Sequence, residues 1–372
     1  MDYYLIAGET SGDLHGANLI RALKQADNRA RFRIVGGDRM QQESGEQAVL
    51  HTSKMAFMGF VEVVANLRTI FRNLKQVKDD LLANRPHALI LIDFPGFNLS
   101  VADFAKDEHI PVFYYISPKV WAWNQRRVLR IKRVVDHLFC ILPFEVDFYN
   151  TWGMQVDYVG NPLMDAVSGY TYNPEFLKEQ GLEGKPILAL LPGSRKMEIS
   201  KLLPEMARLA RMFPGHHTVI AGAPNFTAKD YQKYLRGEHI PIVFNATYDL
   251  LKHASAAVVA SGTATLETAL LNVPQVVVYK ANAMSIAIAR LLIKIRFISL
   301  VNLIMDTAVV KELIQKECTT DTIADEIDLL LNDKTYRINM LQQYEELAVR
   351  VGGPGASERT AAYIISYLKS GK

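Results

Sequence analysis

Only two cysteines, Cys140 and Cys318, occur in 372 residues, far apart and in no metal-ligand spacing. That excludes a disulfide framework and makes a reducing compartment the simplest expectation. An excess of one charge is also missing. The 42 Lys and Arg nearly balance the 39 Asp and Glu, and a net +3 is too little to mark a nucleic-acid binder. Met1-Asp2-Tyr3-Tyr4-Leu5-Ile6-Ala7 reads directly as a strand without a basic and then apolar pattern, so no targeting leader is expected. The longest apolar stretch, Met284 to Met305, carries Arg290, Lys294 and Arg296, which argues against a bilayer span. A soluble or peripheral protein is therefore expected. Repeats and low-complexity tracts are absent.

What is present suits two globular cores, with 49% hydrophobic and 22% charged residues over a length of about two domains. Short apolar runs alternate with longer helical patterns. Strands are expected at 3–7, 32–35, 88–92, 112–116, 138–141 and 156–159. Helices are expected at 14–24, 61–82, 99–106 and 120–135. Nearly continuous apolar strands with helical crossovers are what a parallel sheet buried on both faces requires. After the loop-like stretch 168–174 a second series begins, with strands at 187–191, 217–221, 242–244, 257–260 and 275–279. The tail from 322 to 368 reads as helix, broken at Gly352-Gly353-Pro354-Gly355. The expectation is an α/β fold of two doubly wound parallel-sheet domains, with ligands in a cleft at the carboxyl ends of the strands.

Four strand-end loops carry the residues of interest. The first, Ala7-Gly8-Glu9-Thr10-Ser11-Gly12-Asp13, lacks the G-x-G-x-x-G spacing of a dinucleotide site. Its small residues and two carboxylates, Glu9 and Asp13, suit sugar hydroxyls, which donate to carboxylates. The plainer alternative is a tight turn with Asp13 capping the helix. The second loop ends a buried strand at Asp93-Phe94-Pro95-Gly96-Phe97-Asn98. A carboxylate there is placed as a general base, whereas a structural Asp would cap the next helix, a task open to Asn98 or Ser100.

The third loop, Leu191-Pro192-Gly193-Ser194-Arg195, lacks Walker A spacing but offers small residues and a guanidinium for phosphate. The fourth, Ala260-Ser261-Gly262-Thr263-Ala264-Thr265-Leu266-Glu267, opens a helix whose first amides form an anion site. One turn in, Glu267 is placed to accept ribose hydroxyls. Otherwise Thr263 merely caps the helix and Glu267 favours its dipole. Together the third and fourth loops read as a nucleotide-diphosphate site. Met55-Ala56-Phe57-Met58-Gly59-Phe60-Val61 leads into a helix with Arg68, Arg72, Lys75 and Lys78. This is either a core-facing stripe with a solvated basic side or a surface for anionic lipid. The run 286–298, with three basic residues, poses the same choice.

These loops resemble the lipid-A-disaccharide synthase family. The likeness also covers Met58-Gly59-Phe60-Val61-Glu62-Val63, Tyr115-Ile116-Ser117-Pro118-Lys119-Val120-Trp121-Ala122-Trp123, Leu142-Pro143-Phe144-Glu145 and Ser299-Leu300-Val301-Asn302-Leu303. The segment Ser-Pro-x-Val-Trp-Ala-Trp is especially specific to it. The resemblance implies a GT-B fold with an acceptor domain over 1–165 and a UDP-sugar domain over 166–345. A C-terminal helix within 346–372 would cross back to the first domain. It implies an inverting, metal-independent and cofactor-free transfer from UDP-2,3-diacylglucosamine to 2,3-diacylglucosamine 1-phosphate. It further implies a cytoplasmic enzyme peripheral to the inner-membrane lipid surface, and it allows a homodimer.

By the resemblance, Asp93 is the essential aspartate and Arg195 contacts phosphate. The UDP pocket falls on Gly193, Ser194, Arg195, Ser261, Gly262, Thr263, Ala264, Thr265, Glu267 and Asn302. The residues themselves place the acceptor at Glu9, Ser11, Gly12 and Asp13, and acyl chains or membrane at Met58 and Phe60. The chain departs from the family at Asn161, where many members have histidine, and at Gly96, where some have a second acid. The alternatives are another GT-B protein, such as a UDP-N-acetylglucosamine 2-epimerase or the transferase of peptidoglycan lipid II, and a non-catalytic nucleotide-sugar binder. The missing dinucleotide fingerprint argues against a dehydrogenase.

Overall fold

The computed structural model describes residues 1–55, 66–281 and 296–370. Met58, Phe60 and most of the 286–298 run lie outside the described residues. The chain divides into two units, Met1–Pro162 with Pro354–Lys372, and Leu163–Gly353.

The first unit is built on seven parallel strands: β1 (Asp2–Ala7), β2 (Arg31–Gly36), β3 (Leu50–His51), β4 (Ala88–Ile92), β5 (Val112–Tyr115), β6 (His137–Cys140) and β7 (Asp157–Tyr158). Their order is β3-β2-β1-β4-β5-β6-β7, so the winding reverses between β1 and β4. Side chains alternate across a strand. Tyr4, Ile6, Leu89, Leu91, Val112 and Tyr114 therefore pack into one buried cluster, and Tyr3, Leu5, Ile90, Ile92, Phe113 and Tyr115 into another. Both faces of the sheet are dry, as the continuous apolar strands predict.

One helix covering the second face is the last in the chain, Ala356–Ser370. Its Ala361, Ile364 and Ile365 join the cluster that also holds Leu19 and Ile20 of the helix Thr10–Ala26. Arg359 Nε donates to the Val159 carbonyl at 2.7 Å, and the His137 and Tyr367 rings meet edge-on at 4.6 Å. Burying each such aliphatic side chain contributes about 1.5–3 kcal/mol. The C-terminal segment is thus part of the first unit's core.

The second unit repeats the plan with β8 (Ile187–Leu191), β9 (His217–Gly222), β10 (Ile242–Phe244), β11 (Ala254–Ala260), β12 (Gln275–Tyr279) and β13 (Lys311–Ile314). The strands are parallel in the order β10-β9-β8-β11-β12-β13, with the reversal between β8 and β11. β3 and β13 are absent from the sequence reading because one has two residues and the other, Lys-Glu-Leu-Ile, is a polar edge strand. The expected helix at 120–135 is broken, since Asn124 leaves helical geometry (φ −135°, ψ 65°) between Val120–Trp123 and Val128–Val134. The tail is three helices, Thr320–Asn332, Lys334–Val351 and Ala356–Ser370. Asp333 divides the first two by capping the Thr335 and Tyr336 amides.

Candidate functional site

In a doubly wound sheet the loops on either side of the reversal splay apart and leave a crevice for ligand. In the first unit those loops follow β1 and β4, carrying Glu9–Asp13 and Asp93–Asn98. In the second they follow β8 and β11, carrying Gly193–Arg195 and Ser261–Glu267.

Asp93 sits one residue past β4 with φ 45°, and Phe94 follows with φ 48°. Two consecutive side-chain-bearing residues in the left-handed region cost of order 1–3 kcal/mol each and persist only when the surroundings over-determine them. Here the Asp93 N–H donates to the Tyr115 carbonyl at 3.2 Å. Its own carbonyl accepts from Tyr114 Oη at 2.5 Å and Asn98 Nδ2 at 2.8 Å. The Phe94 ring lies over Gly8, where an added Cβ would come within 2.2 Å of it. The turn is therefore clamped by its backbone, and apart from the Phe94 amide the Asp93 carboxylate is not needed to hold it. Burial raises its pKa, while the Lys119 charge and the Phe94 amide oppose that shift.

The Glu9–Asp13 segment is not an open loop. The helix starts at Thr10, so Ser11, Gly12 and Asp13 form its first turn, with the Asp13 N–H on the Glu9 carbonyl at 2.9 Å. Ser11 is exposed and Glu9 partly so. Asp13 is buried, and its carboxylate accepts from the Gly37, Arg39 and Met40 amides at 2.7–3.1 Å. It caps the helix Asp38–Ser44, so the structure corrects its assignment to acceptor hydroxyls. The capping alternative holds, though for a neighbouring helix.

In the second unit, Glu198 folds back over the Gly193–Arg195 turn. Its Oε2 accepts from the Ser194 and Arg195 amides at 3.1 and 3.3 Å. These amides are not open to phosphate in this structure, which corrects the expectation of free backbone donors there. The Arg195 side chain is mostly exposed, 3.6 Å from Glu198 Oε1. At the fourth loop Gly262 precedes the helix Thr263–Leu270, and no side chain caps it. The Thr263 and Ala264 amides thus keep the anion-binding geometry of a helix start. The Thr265 hydroxyl turns back to the Gly262 carbonyl at 2.8 Å, so Thr265 offers only its place in the turn. Ser261 Oγ donates to the Ile298 carbonyl at 2.9 Å.

Glu267 accepts from Tyr248 Oη at 2.7 Å through Oε1, leaving Oε2 as its second acceptor. Burial raises its pKa against that hydrogen bond. Asn302 is fully committed inside the protein. Its Nδ2 donates to the Val310 carbonyl and Glu312, each at 2.9 Å, while its Oδ1 accepts from the Val309 and Val310 amides. It braces, with Ser299 and Glu312, the segment whose Ile298 carbonyl holds Ser261.

The family model described as lipid-A-disaccharide synthetase (LpxB) matches residues 3–362. The chain is 38% identical to the lipid-A-disaccharide synthase of Trichlorobacter lovleyi and 39% identical to that of Syntrophus aciditrophicus. Each match covers 98% of this chain and 97% of the relative. The chain belongs to the lipid-A-disaccharide synthase family. It is a glycosyltransferase of GT-B fold.

Solved structures are more distant. They include an S. aureus MnaA–UDP co-structure (TM-score 0.70, 14% identity, covering 99% of this chain and 97% of that one). A UDP-GlcNAc 2-epimerase from Neisseria meningitidis bound to UDP-GlcNAc gives TM-score 0.66 at 14% identity over all of both chains. At that identity the likeness shows the fold alone, so the epimerase alternative has no support beyond architecture.

Three further residues join the synthase-family motifs to the site. Lys119, from the family-specific segment, places its charge on Asp93. Tyr248 holds Glu267. Glu145 links the two first-unit motifs from beneath. Asn161, at the departure from the family histidine, is buried and donates to the Ile141 carbonyl at 3.1 Å, which is a structural use. Two surface depressions, of about 610 Å³ beside Arg33 and Lys75 and about 670 Å³ beside Arg208 and Arg236, lie away from these loops.

Proposed function

We propose that the protein transfers the sugar of UDP-2,3-diacylglucosamine to the 6-hydroxyl of 2,3-diacylglucosamine 1-phosphate, giving the disaccharide 1-phosphate and UDP. The observation that carries this reading is Asp93, clamped in a left-handed turn at the first unit's reversal point, with the Phe94 amide its carboxylate's one hydrogen-bond donor in the turn. The acceptor oxygen attacks the anomeric carbon as its proton passes to Asp93, and the anomeric carbon–phosphate oxygen bond breaks. A single displacement of this kind inverts configuration. Positioned proton transfer is worth about 10²–10⁴-fold.

UDP departs with its charge taken up by Arg195 and the Thr263 and Ala264 amides, fixed groups that need no reorganisation. For the diphosphate to use the Ser194 and Arg195 amides as well, Glu198 swings away. Glu267 accepts from the ribose through Oε2. On the acceptor side, Glu9 and Ser11 at the start of the first helix are the remaining hydroxyl contacts, with Gly12 keeping that turn slim.

Among the described residues no helix is long and apolar enough to cross a membrane. Association with the inner-membrane surface from the cytoplasmic side is supported by the helix Leu67–Asn84. There Phe71 is 66% and Leu67 43% exposed, beside the exposed Arg68, Arg72 and Lys75. Apolar side chains ringed by cations suit an anionic lipid surface. Sedimentation with vesicles of phosphatidylcholine and phosphatidylglycerol tests this. Leu67→Ser with Phe71→Ser should weaken binding, and unchanged binding removes that helix from the membrane reading. The homodimer that the family allows is decided by a mass measurement in solution.

The reaction is tested by an assay with purified donor and acceptor in detergent micelles. Acceptor-dependent UDP release with a new disaccharide lipid is expected, and release that ignores the acceptor would overturn the assignment.

A further inference from the structure

Glu145 is 1% exposed, at the start of the helix Phe144–Thr151 that follows β6. A buried carboxylate is costly unless its oxygens are hydrogen-bonded. Four donors converge on this one. Oε1 accepts from Ser117 Oγ at 2.6 Å and Trp121 Nε1 at 3.1 Å, and Oε2 from the Ile141 and Leu142 amides at 3.3 and 3.1 Å. Burial nonetheless pushes its pKa up to about 7. Two donors come from the β5 loop and two from the end of β6, so Glu145 ties those strand ends together.

The tied segment is strained at its root. Ile116, β-branched, has φ 65°, a genuine outlier for such a residue. Beyond it the Pro118 carbonyl accepts from Tyr149 Oη at 3.3 Å, and the Trp121 ring meets Phe144 edge-on at 4.9 Å. The buried side chains Ser117, Val120 and Trp121 hold the segment to the fold. The segment's exposed residues include Lys119, whose charge acts on Asp93, and Trp123, 48% exposed with the Arg127 guanidinium 5.1 Å from its ring centre. Among the described residues, Lys119 and Arg127 make no salt bridge.

We propose that Glu145 is a positioning residue for the acceptor, holding segment 117–123, which follows the strand whose Tyr115 carbonyl accepts from the Asp93 amide, so that Lys119 and the exposed Trp123 are presented to an anionic, phosphate-bearing sugar. This rests on the acceptor assigned above. Glu145 cannot touch substrate from its buried place, and it acts through the segment. The Lys119 cation recognises the acceptor's phosphate, and an exposed indole offers a face for its sugar ring.

The test uses the full chain. In Glu145→Gln the carboxamide oxygen can keep the two backbone donors, and Ser117 can turn to accept. The new NH2 then faces Trp121 Nε1, donor against donor. The expected result is a KM for the acceptor raised, or kcat lowered, by about 10- to 100-fold, the scale of a small misplacement. UDP affinity and the thermal midpoint should stay close to wild type. Adding Trp121→Phe removes the opposed donor and should recover part of the loss. Lys119→Met should raise the acceptor KM by about 10-fold or more, as expected for a lost charged hydrogen bond.

Ser117→Ala is the milder variant should Glu145→Gln fold poorly, and it should shift the same parameters by less. Iodide quenching of tryptophan emission reads the exposed Trp123 without substrate, and Glu145→Gln should change it. That arm stands even if the acceptor proves wrong, in which case wild type fails to release UDP. Unchanged quenching and unchanged acceptor kinetics would overturn the proposal. So would losses in UDP affinity and thermal midpoint that match the loss in turnover, because these mark a general scaffold role.

Discussion

Replacing Asp93 by Asn removes the proposed base and almost nothing else. The backbone of Asp93 is held by the Tyr115 carbonyl, Tyr114 Oη and Asn98 Nδ2, none of which involves its carboxylate. Asn is also, with Asp, among the side-chain-bearing residues that best tolerate a φ of 45°. The turn should therefore persist, and removing a partly desolvated charge should leave stability unchanged or slightly raised. Turnover should fall about 10²–10⁴-fold, or about 3–5 kcal/mol of barrier. UDP affinity should not move, because the nucleotide loops belong to the other unit. Ala at this position lacks the side chain that tolerates left-handed geometry and should also cost about 1–2 kcal/mol of stability. Because burial raises the Asp93 pKa, the rate should fall on the acid side above the usual aspartate range, and Lys119→Met should move that limb higher still. Steady-state UDP release across pH, with calorimetric UDP titration, measures all of this. An Asp93→Asn enzyme within tenfold of wild type would refute the base assignment.

Gly8→Ala should destabilise the first unit by about 1–3 kcal/mol and depress turnover, because the new Cβ drives into the Phe94 ring that clamps the Asp93 turn. Unchanged thermal unfolding would show that the ring can move aside. Arg195→Ala should weaken UDP binding by about 10- to 150-fold, the scale of a lost charged hydrogen bond, and calorimetry checks it. Glu145 gives a pH signature. Its folded pKa of about 7 lies above the ordinary 4.5, so its contribution to stability is complete below about pH 4.5 and lost as pH rises through 7. The gap corresponds to about 3 kcal/mol. Urea unfolding at pH 5 and pH 8 should show that loss in wild type and not in Glu145→Gln, and equal slopes would contradict it.

The fold was legible where physics writes it in periodicity. Runs such as Ala88–Ile92 and Ile187–Leu191 read as strands buried on both faces, whereas the strand order, and with it the reversal points, came only with the sheets. Asp93 was legible as a carboxylate ending such a run, but its left-handed geometry was not. That geometry depends on a ring packing over Gly8, a contact distant in sequence. Asp13 and Asn302 both spend their side chains on the fold, for one reason that residue type does not show. A polar residue in a motif can serve a neighbouring backbone as readily as a ligand, and residue type does not distinguish the two. Asn302 carried a faint signal, lying three residues after Ser299, whose hydroxyl caps that turn. Glu198 over the Arg195 turn was likewise a pairing of the capping kind, three residues apart. Tyr248 and Lys119 had no sequence signal linking them to Glu267 and Asp93, because only the parallel sheets bring them together.

The central claim is acceptor-dependent glycosyl transfer, and it is tested most directly by measuring UDP release from UDP-2,3-diacylglucosamine with and without 2,3-diacylglucosamine 1-phosphate. Release that requires the acceptor and yields a disaccharide lipid is the predicted result. Release at the same rate without acceptor, or none in either case, would contradict it.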